Sequence, residues 1–163
     1  MDPVTDLVIT ISNPLKSLEY KRKQICAKTM EAMPFTSRVS LWSFNSTLTQ
    51  IECLMCLMQQ DSIFSAGHIL AKTDYPDYFD ALLAQQVLVA ADARNHPSTQ
   101  CFNEAYFLPN DIHSLLDYVL IKDARPLGVI CCETIGKKHQ WLDSDVATLR
   151  RIANITAIFF EQN

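Results

Sequence analysis

Two stretches, Ile112 to Lys122 and Pro126 to Ile135, read as long strands that are apolar on both faces, joined at Asp123-Ala124-Arg125. Successive strand side chains point to opposite sides of a sheet, so neither face of such strands tolerates water. Arg38 to Asn45 repeats the pattern, with Val39 and Leu41 on one side and Trp42 and Phe44 on the other. Thr49 to Met58 does so again, and Asn45-Ser46-Thr47-Leu48 joins the two as a hairpin. A sheet made of these strands needs cover on both sides. The predicted architecture is therefore an α+β, three-layer α/β/α arrangement around an antiparallel sheet of five to six strands.

The helical periodicities supply the cover. Leu15, Leu18, Arg22, Ile25, Cys26 and Thr29 predict an amphipathic helix over 14–32, with Pro14 in its first turn and its end near Pro34. Thr73-Asp74-Tyr75-Pro76 reads as a capped start to a helix over 74–85, with Tyr75, Tyr78, Phe79, Leu82 and Leu83 as its stripe. Val87 to Ala91 is a short strand. Ser98 or Thr99 starts a second short helix, 98–108, that carries Phe102, Ala105 and Tyr106 and ends at Pro109. Asp143 or Ser144 caps a last helix over 144–161. Its apolar positions, among them Leu149, Ile152, Ile155, Phe159 and Phe160, cover more of the helix than one contact with a sheet requires. The first and last helices are expected on one face of the sheet, the 74–85 and 98–108 helices on the other.

A chain of 163 residues is one domain, without repeats or flexible linkers, since it has only three glycines. A net charge of −4 with one basic cluster, Lys21-Arg22-Lys23, argues against nucleic acid as a partner. No stretch approaches the ~18 apolar residues of a membrane span. The apolar patch Leu7 to Ile11 is flanked by Asp2 and Asp6, unlike a signal peptide. The expectation is a cytoplasmic protein whose six cysteines stay reduced.

Among polar residues, Asp117 sits on an otherwise apolar strand, where a carboxyl must be paired or hydrogen-bonded. Ser114, Asp117 and Glu133 are candidate polar pocket groups, with Arg94 as counter-charge. Asp92-Ala93-Arg94 reads either as a ligand contact or as a self-capped loop. The aromatic residues Tyr75, Tyr78, Phe79, Phe102 and Tyr106 read as core, pocket lining or both. Cys53 and Cys56 have the spacing of a zinc knuckle, but residues three apart on a strand point to opposite faces, so no metal site is expected. Of Cys131 and Cys132 only one can face a pocket, and free cysteine is usually a small buried hydrophobe. The four histidines are scattered without a nucleophile partner in sequence.

The order helix, two strands, lid helices, three strands, helix resembles the GAF domain, of the type found N-terminal in bacterial sensor histidine kinases and diguanylate cyclases. The resemblance rests on Asp74-Tyr75-Pro76 with Tyr78-Phe79 and Ala81-Leu82, and on Asp92-Ala93-Arg94 with Pro97, Thr99, Phe102 and Tyr106. Ser114 with Leu116-Asp117, and Gly128-Val129, Cys131, Glu133, Gly136 and Trp141, continue it. It implies an N-terminal helical extension over 1–35 and a GAF core over 36–163. Where the subgroup often has histidines, this chain has Cys132 and Thr134. The residue set of cyclic-nucleotide GAF domains is not recognisable.

The resemblance implies a non-enzymatic sensor that binds an unidentified small molecule between sheet and lid. The expected ligand set is Trp42, Tyr78, Phe79, Asp92, Arg94, Phe102, Tyr106, Ser114, Asp117, Cys132 and Glu133. It also implies relay through the terminal helices, a homodimer through those helices, and an output domain or partner kinase or cyclase. Two alternatives are a dimerisation module with a degenerate pocket and a GAF-type methionine sulfoxide reductase using Cys101, Cys131 or Cys132. Bilin attachment is weaker still.

Overall fold

A computed structural model describes residues 1–59, 63–64 and 66–160. Its elements in chain order are α1 (Pro3–Ser12), α2 (Leu18–Ala32), β1 (Arg38–Phe44), β2 (Gln50–Met58), β3 (Ile63–Phe64) and β4 (Ile69–Ala71). They continue with α3 (Pro76–Gln85), β5 (Val87–Ala90), β6 (Ile112–Lys122), β7 (Arg125–Ile135) and α4 (Asp143–Phe159). The strands form one antiparallel sheet in the order β3-β2-β1-β7-β6-β5. The short strand β4 shares with β3 the outer edge of β2, so the sheet is six strands wide, at the upper end of expectation.

The two-sided apolarity of the strands is met as their alternation requires. Val39, Leu41, Leu116, Leu120, Ile130 and Cys132 face α1, α2 and α4. Ile51, Leu115, Val119, Val129 and Cys131 face α3 and the segment after β5. Each fully buried Leu or Ile contributes about 2 kcal/mol by leaving water. The β6–β7 turn uses Asp123 and Ala124 at φ 53° and 61°. Both residues are left-handed, the geometry that lets a two-residue hairpin follow the strand twist.

Several local expectations are corrected. The expected 14–32 helix begins only at Leu18, and a separate helix, α1, precedes it. Asp2 caps α1, accepting from the N–H groups of Val4 and Thr5 at 3.0 and 3.1 Å, with Pro3 in the first turn. Pro14 ends α1 instead of starting α2, because it forces Asn13 into extended backbone. Leu15 is left exposed, and Ser17 caps α2 through the N–H of Tyr20 at 3.1 Å. Leu7 and Ile11, the ends of the short apolar patch, are wholly buried on α1. In α3, Tyr75 precedes the helix with no side-chain cap.

The expected 98–108 helix is a composite lid segment. It comprises a 3-10 turn at Gln100–Phe102, a π-helical turn at Asn103–Phe107 and a last turn at Leu108–Asn110. Pro109 lies within that last turn, and the left-handed Asp111 ends it. In α4 the first helical residue is Asp143, and neither Asp143 nor Ser144 is the cap. Asp145 reaches back to accept from the Leu142 N–H at 2.8 Å. The expected end of that helix at residue 161 lies outside the described residues.

Gly128 marks the tightest approach in the sheet. A Cβ at this position would stand 2.2 Å from the Trp42 carbonyl oxygen on β1. Backbone in a central strand cannot yield cheaply. Gly128→Ala is expected to lower the free energy of unfolding by about 1–3 kcal/mol, read from urea denaturation. A loss under about 0.5 kcal/mol, the range of an ordinary surface change, would show that β1 and β7 separate freely.

Candidate functional site

Between the sheet and the lid lies a cavity of about 310 Å³. Strand parity supplies its floor: Arg38, Ser40 and Trp42 from β1, Leu115 and Asp117 from β6, Cys131 and Glu133 from β7. Tyr75 and Tyr78 from the start of α3, and Phe102, Tyr106 and Asn110 from the lid, form its wall and roof. His68 and Leu70 stand at the rim.

Strand β2 adds Cys53 and Cys56, which sequence reasoning placed on opposite faces. The register against β1 slips by one residue, because Leu41 pairs with Met55 while Trp42 pairs with Cys53. The extra residue is a β-bulge. It turns Leu54 and Met55 both toward the terminal-helix core and returns Cys56 to the cavity side. Among the described residues no group of three or more His, Cys, Asp and Glu side chains is placed to hold a metal ion.

Two polar chains cross the cavity. In the first, an Arg38 Nη1 donates to the Tyr106 hydroxyl at 2.7 Å, and Tyr106 donates to Glu133 Oε1 at 2.6 Å. This chain joins the lid to two strands of the sheet. In the second, the Tyr78 hydroxyl donates to Asp117 Oδ2 at 2.6 Å and lies 3.9 Å from Cys131 Sγ. Asp117 Oδ1 is buried with no hydrogen-bond partner. Burial pushes the Asp117 carboxyl up to about 8, the charge of Glu133 adds to the rise, and the Tyr78 hydroxyl and Cys131 thiol pull the other way. Burial also lifts Glu133 to about 7, with Tyr106 and Arg38 pulling the other way. Burial pushes the Cys53 thiol up to about 11, Cys56 up to about 12, and Cys131 well above its ordinary value. These thiols are neutral at physiological pH and are poor nucleophiles.

Of the residues singled out in the sequence, Trp42, Tyr78, Phe102, Tyr106, Asp117 and Glu133 line this cavity. Five do not. Phe79 is wholly buried behind it, edge-on to Phe44 with ring centroids 6.4 Å apart. Asp92 lies at the surface, bonded to Asn95 at 2.9 Å and Lys138 at 3.1 Å, which hold its carboxyl below the usual range. Arg94 pairs with Asp111 at 3.0 Å and donates to the Ile112 carbonyl at 2.8 Å, so it is not the counter-charge. Ser114 and Cys132 point to the opposite face. Ser114 donates to the Ala91 carbonyl at 2.5 Å and accepts from the His139 N–H at 2.8 Å. Cys132 is sealed in the terminal-helix core. Parity was the available signal: Ser114 is three residues from Asp117, and Cys132 adjoins Glu133. Arg38, the guanidinium that does face the carboxyls, shares its strand face with Ser40 and Trp42.

The raised carboxyls have a consequence for stability. In the unfolded chain Asp117 and Glu133 lose their protons near pH 4, whereas in the folded protein they hold them to about 8 and 7. Folded protein therefore binds more protons across this window. The contribution of these two groups to stability is fully present below about pH 4 and is lost as pH rises through 7 and 8. The lowered carboxyls of Asp2, Asp92 and Asp111 titrate below this window. Urea midpoints are expected to fall from pH 5 to pH 8.5, and Asp117→Asn should flatten most of that slope. An unchanged slope in the variant would place the titration elsewhere.

Comparison with known proteins agrees with this architecture. No curated protein matches the chain. Solved structures superpose over nearly its whole length. The GAF domain of an Acinetobacter phosphoenolpyruvate-protein phosphotransferase matches with a TM-score of 0.75 at 12% identity, over 97% of this chain and 90% of that one. Free methionine-R-sulfoxide reductase from Neisseria meningitidis, in complex with its substrate, gives 0.74 at 14% identity, over 96% and 85%. A protein in its far-red absorbing dark state with bound biliverdin IXa gives 0.73 at 13% identity, over 96% and 96%. At such identities the likeness is one of fold. The family profile of the GAF domain matches residues 24–159, from within α2 to the end of α4, and the chain therefore belongs to the GAF domain family.

Proposed function

We propose that this protein is a non-enzymatic sensory GAF domain. It binds a small molecule in the cavity between sheet and lid and relays occupancy through α1, α2 and α4 to an output domain or partner kinase or cyclase in the cytoplasm. The observation that carries the reading is the cavity itself: mostly aromatic and apolar, with a few convergent polar groups, one of them an unsatisfied buried carboxyl oxygen. The Arg38–Tyr106–Glu133 chain gives the lid a polar latch that a ligand can strengthen or break. No described helix is long and apolar enough to cross a membrane.

A reductase reading draws on the three thiols, Cys53, Cys56 and Cys131, that face the cavity. Their neutral state argues against it, since reductive chemistry on a sulfoxide needs a thiolate. Turnover of free methionine sulfoxide with thiol consumption would favour the reductase. A reading as a dimerisation module with a degenerate pocket is opposed by the open volume.

Ala105 is exposed at the cavity mouth, so a large side chain there closes the entrance without disturbing the core. Native mass spectrometry is expected to show one small molecule bound per pocket in wild type, lost in Ala105→Trp while the circular dichroism spectrum of the fold is unchanged. Retention of the molecule by Ala105→Trp would place it outside the cavity.

Relay through the terminal helices is proposed to run across a homodimer. Val8 and Ile9 of α1 and Ile158 and Phe159 of α4 remain exposed, although Ile155 packs against the core. Contiguous exposed apolar side chains usually mark partner surfaces. Light scattering at tens of micromolar is expected to give a dimer for wild type and a monomer for Phe159→Glu. A wild-type monomer would remove the dimer from the proposal.

A further inference from the structure

The cavity is unbalanced in charge. Two carboxyls, Asp117 and Glu133, are essentially inaccessible, and the guanidinium of Arg38 is engaged at the Glu133 end through Tyr106. The groups facing Asp117 are of another kind. Tyr78 from α3 and Cys131 from β7 are neutral, and Glu133 from β7 is itself acidic. Cys53 and Cys56 across the floor are neutral as well, and His68 stands only at the rim. One oxygen of Asp117 has its hydrogen bond from Tyr78, and the other, Oδ1, has none.

A buried carboxyl oxygen left without a donor is among the more costly arrangements in a protein. Here it lies sealed in the floor of a cavity whose wall is aromatic. Tyr75 and Phe102 stack at 4.5 Å between centroids, and Tyr78 meets Phe102 edge-on at 5.0 Å. Aromatic faces attract cations and repel carboxylates. An anionic ligand would meet two carboxyls with the guanidinium already committed to one of them. A cationic nitrogen brings both the missing N–H donor and the missing charge.

Resting on the reading of this cavity as a small-molecule site, we propose that its ligand is an organic cation. An ammonium or amidinium group meets the Asp117 carboxyl, whose sealed Oδ1 turns toward the cavity to receive it, and an apolar body lies along the wall of Tyr75, Tyr78 and Phe102. Asp117 keeps its proton in the empty cavity and gives it up to water when the cation arrives. Proton and charge then balance: one carboxylate and one ammonium replace one carboxylic acid, with one proton released.

Three probes of the same shape test the class: 2-phenylethylamine, 2-phenylethanol and phenylacetate, titrated by calorimetry at pH 7 into the wild-type chain. The amine is expected to bind at least tenfold tighter than the alcohol, and phenylacetate not at all. Asp117→Asn should abolish the amine's advantage over the alcohol. The proposal falls if the alcohol or the acid equals the amine, or if none of the three binds. It falls too if the amine binds equally well to Asp117→Asn or to the mouth-blocked Ala105→Trp. Should Asp117→Asn fail to fold, the three-probe comparison on wild type decides alone. A native ligand that is lost in Ala105→Trp but proves neutral or anionic would overturn the cation and leave the small-molecule reading standing.

Discussion

Everything in this fold hangs on the β6–β7 ladder, two long central strands that must be dry on both faces. Leu116 pairs with Cys132 and Asp117 with Cys131, one rung apart. The first rung faces the terminal helices and the second the cavity. Because alternation has period two, the backbone that carries the core of one layer also carries the polar floor of the other. A one-residue slip would bury Asp117 among Leu149 and Ile152 and set Leu116 in the cavity. Register is therefore the constraint that sets both stability and site. The tight pairing at Gly128, held by β1 on one side and β6 on the other, fastens that register.

Against that dry background, the polar groups of the cavity are costly, and the lid offsets part of the cost. Tyr78 from α3 and Tyr106 from the lid each place a hydroxyl 2.6 Å from a buried carboxyl. Each carboxyl accepts its short hydrogen bond from a separate element that has to fold over the sheet. The lid is thus joined to the floor by polar contacts as well as by Phe102 and Phe107. Its own backbone is irregular, passing through a 3-10 turn and a π-helical turn before it closes. Such a segment owes its geometry to what it touches more than to helix propensity.

Much of this was legible from residues. Two-sided strands required three layers, and an acid on an apolar strand required a built environment. What escaped had particular physical causes. The bulge at Leu54 and Met55 is a backbone insertion that no side-chain pattern announces, so Cys53 and Cys56 were assigned opposite faces. The helix start at Pro14 failed because a proline restrains its predecessor as well as itself, and Asn13 became the end of α1. Arg94, the counter-charge expected from sequence, is taken up by Asp111 and the Ile112 carbonyl. The real one, Arg38, is 95 residues away from Glu133 in the chain yet its direct partner across β1 and β7. Strand pairing of that span is long-range information, and single-sequence periodicity does not contain it.

The alternation that places the cavity also supplies a route out of it. Cys131 and Cys132 are adjacent, one against Tyr78 and one against the α2 and α4 core. Ser114 makes a similar crossing, since its hydroxyl takes the His139 N–H, and the His139 ring stacks on Phe35 at 3.7 Å. The same histidine reaches Asp145, whose carboxylate secures the start of α4. In the proposed reading, a ligand that draws Asp117 or Glu133 toward itself strains β6 and β7. Close-packed cores transmit such strain because they cannot absorb it in voids. The loop from Gly136 to Trp141 then links the end of β7 to the first turn of α4 by hydrogen bonds and stacked rings. A signal that leaves the cavity this way needs no hinge: it needs only that the two faces of one ladder move together.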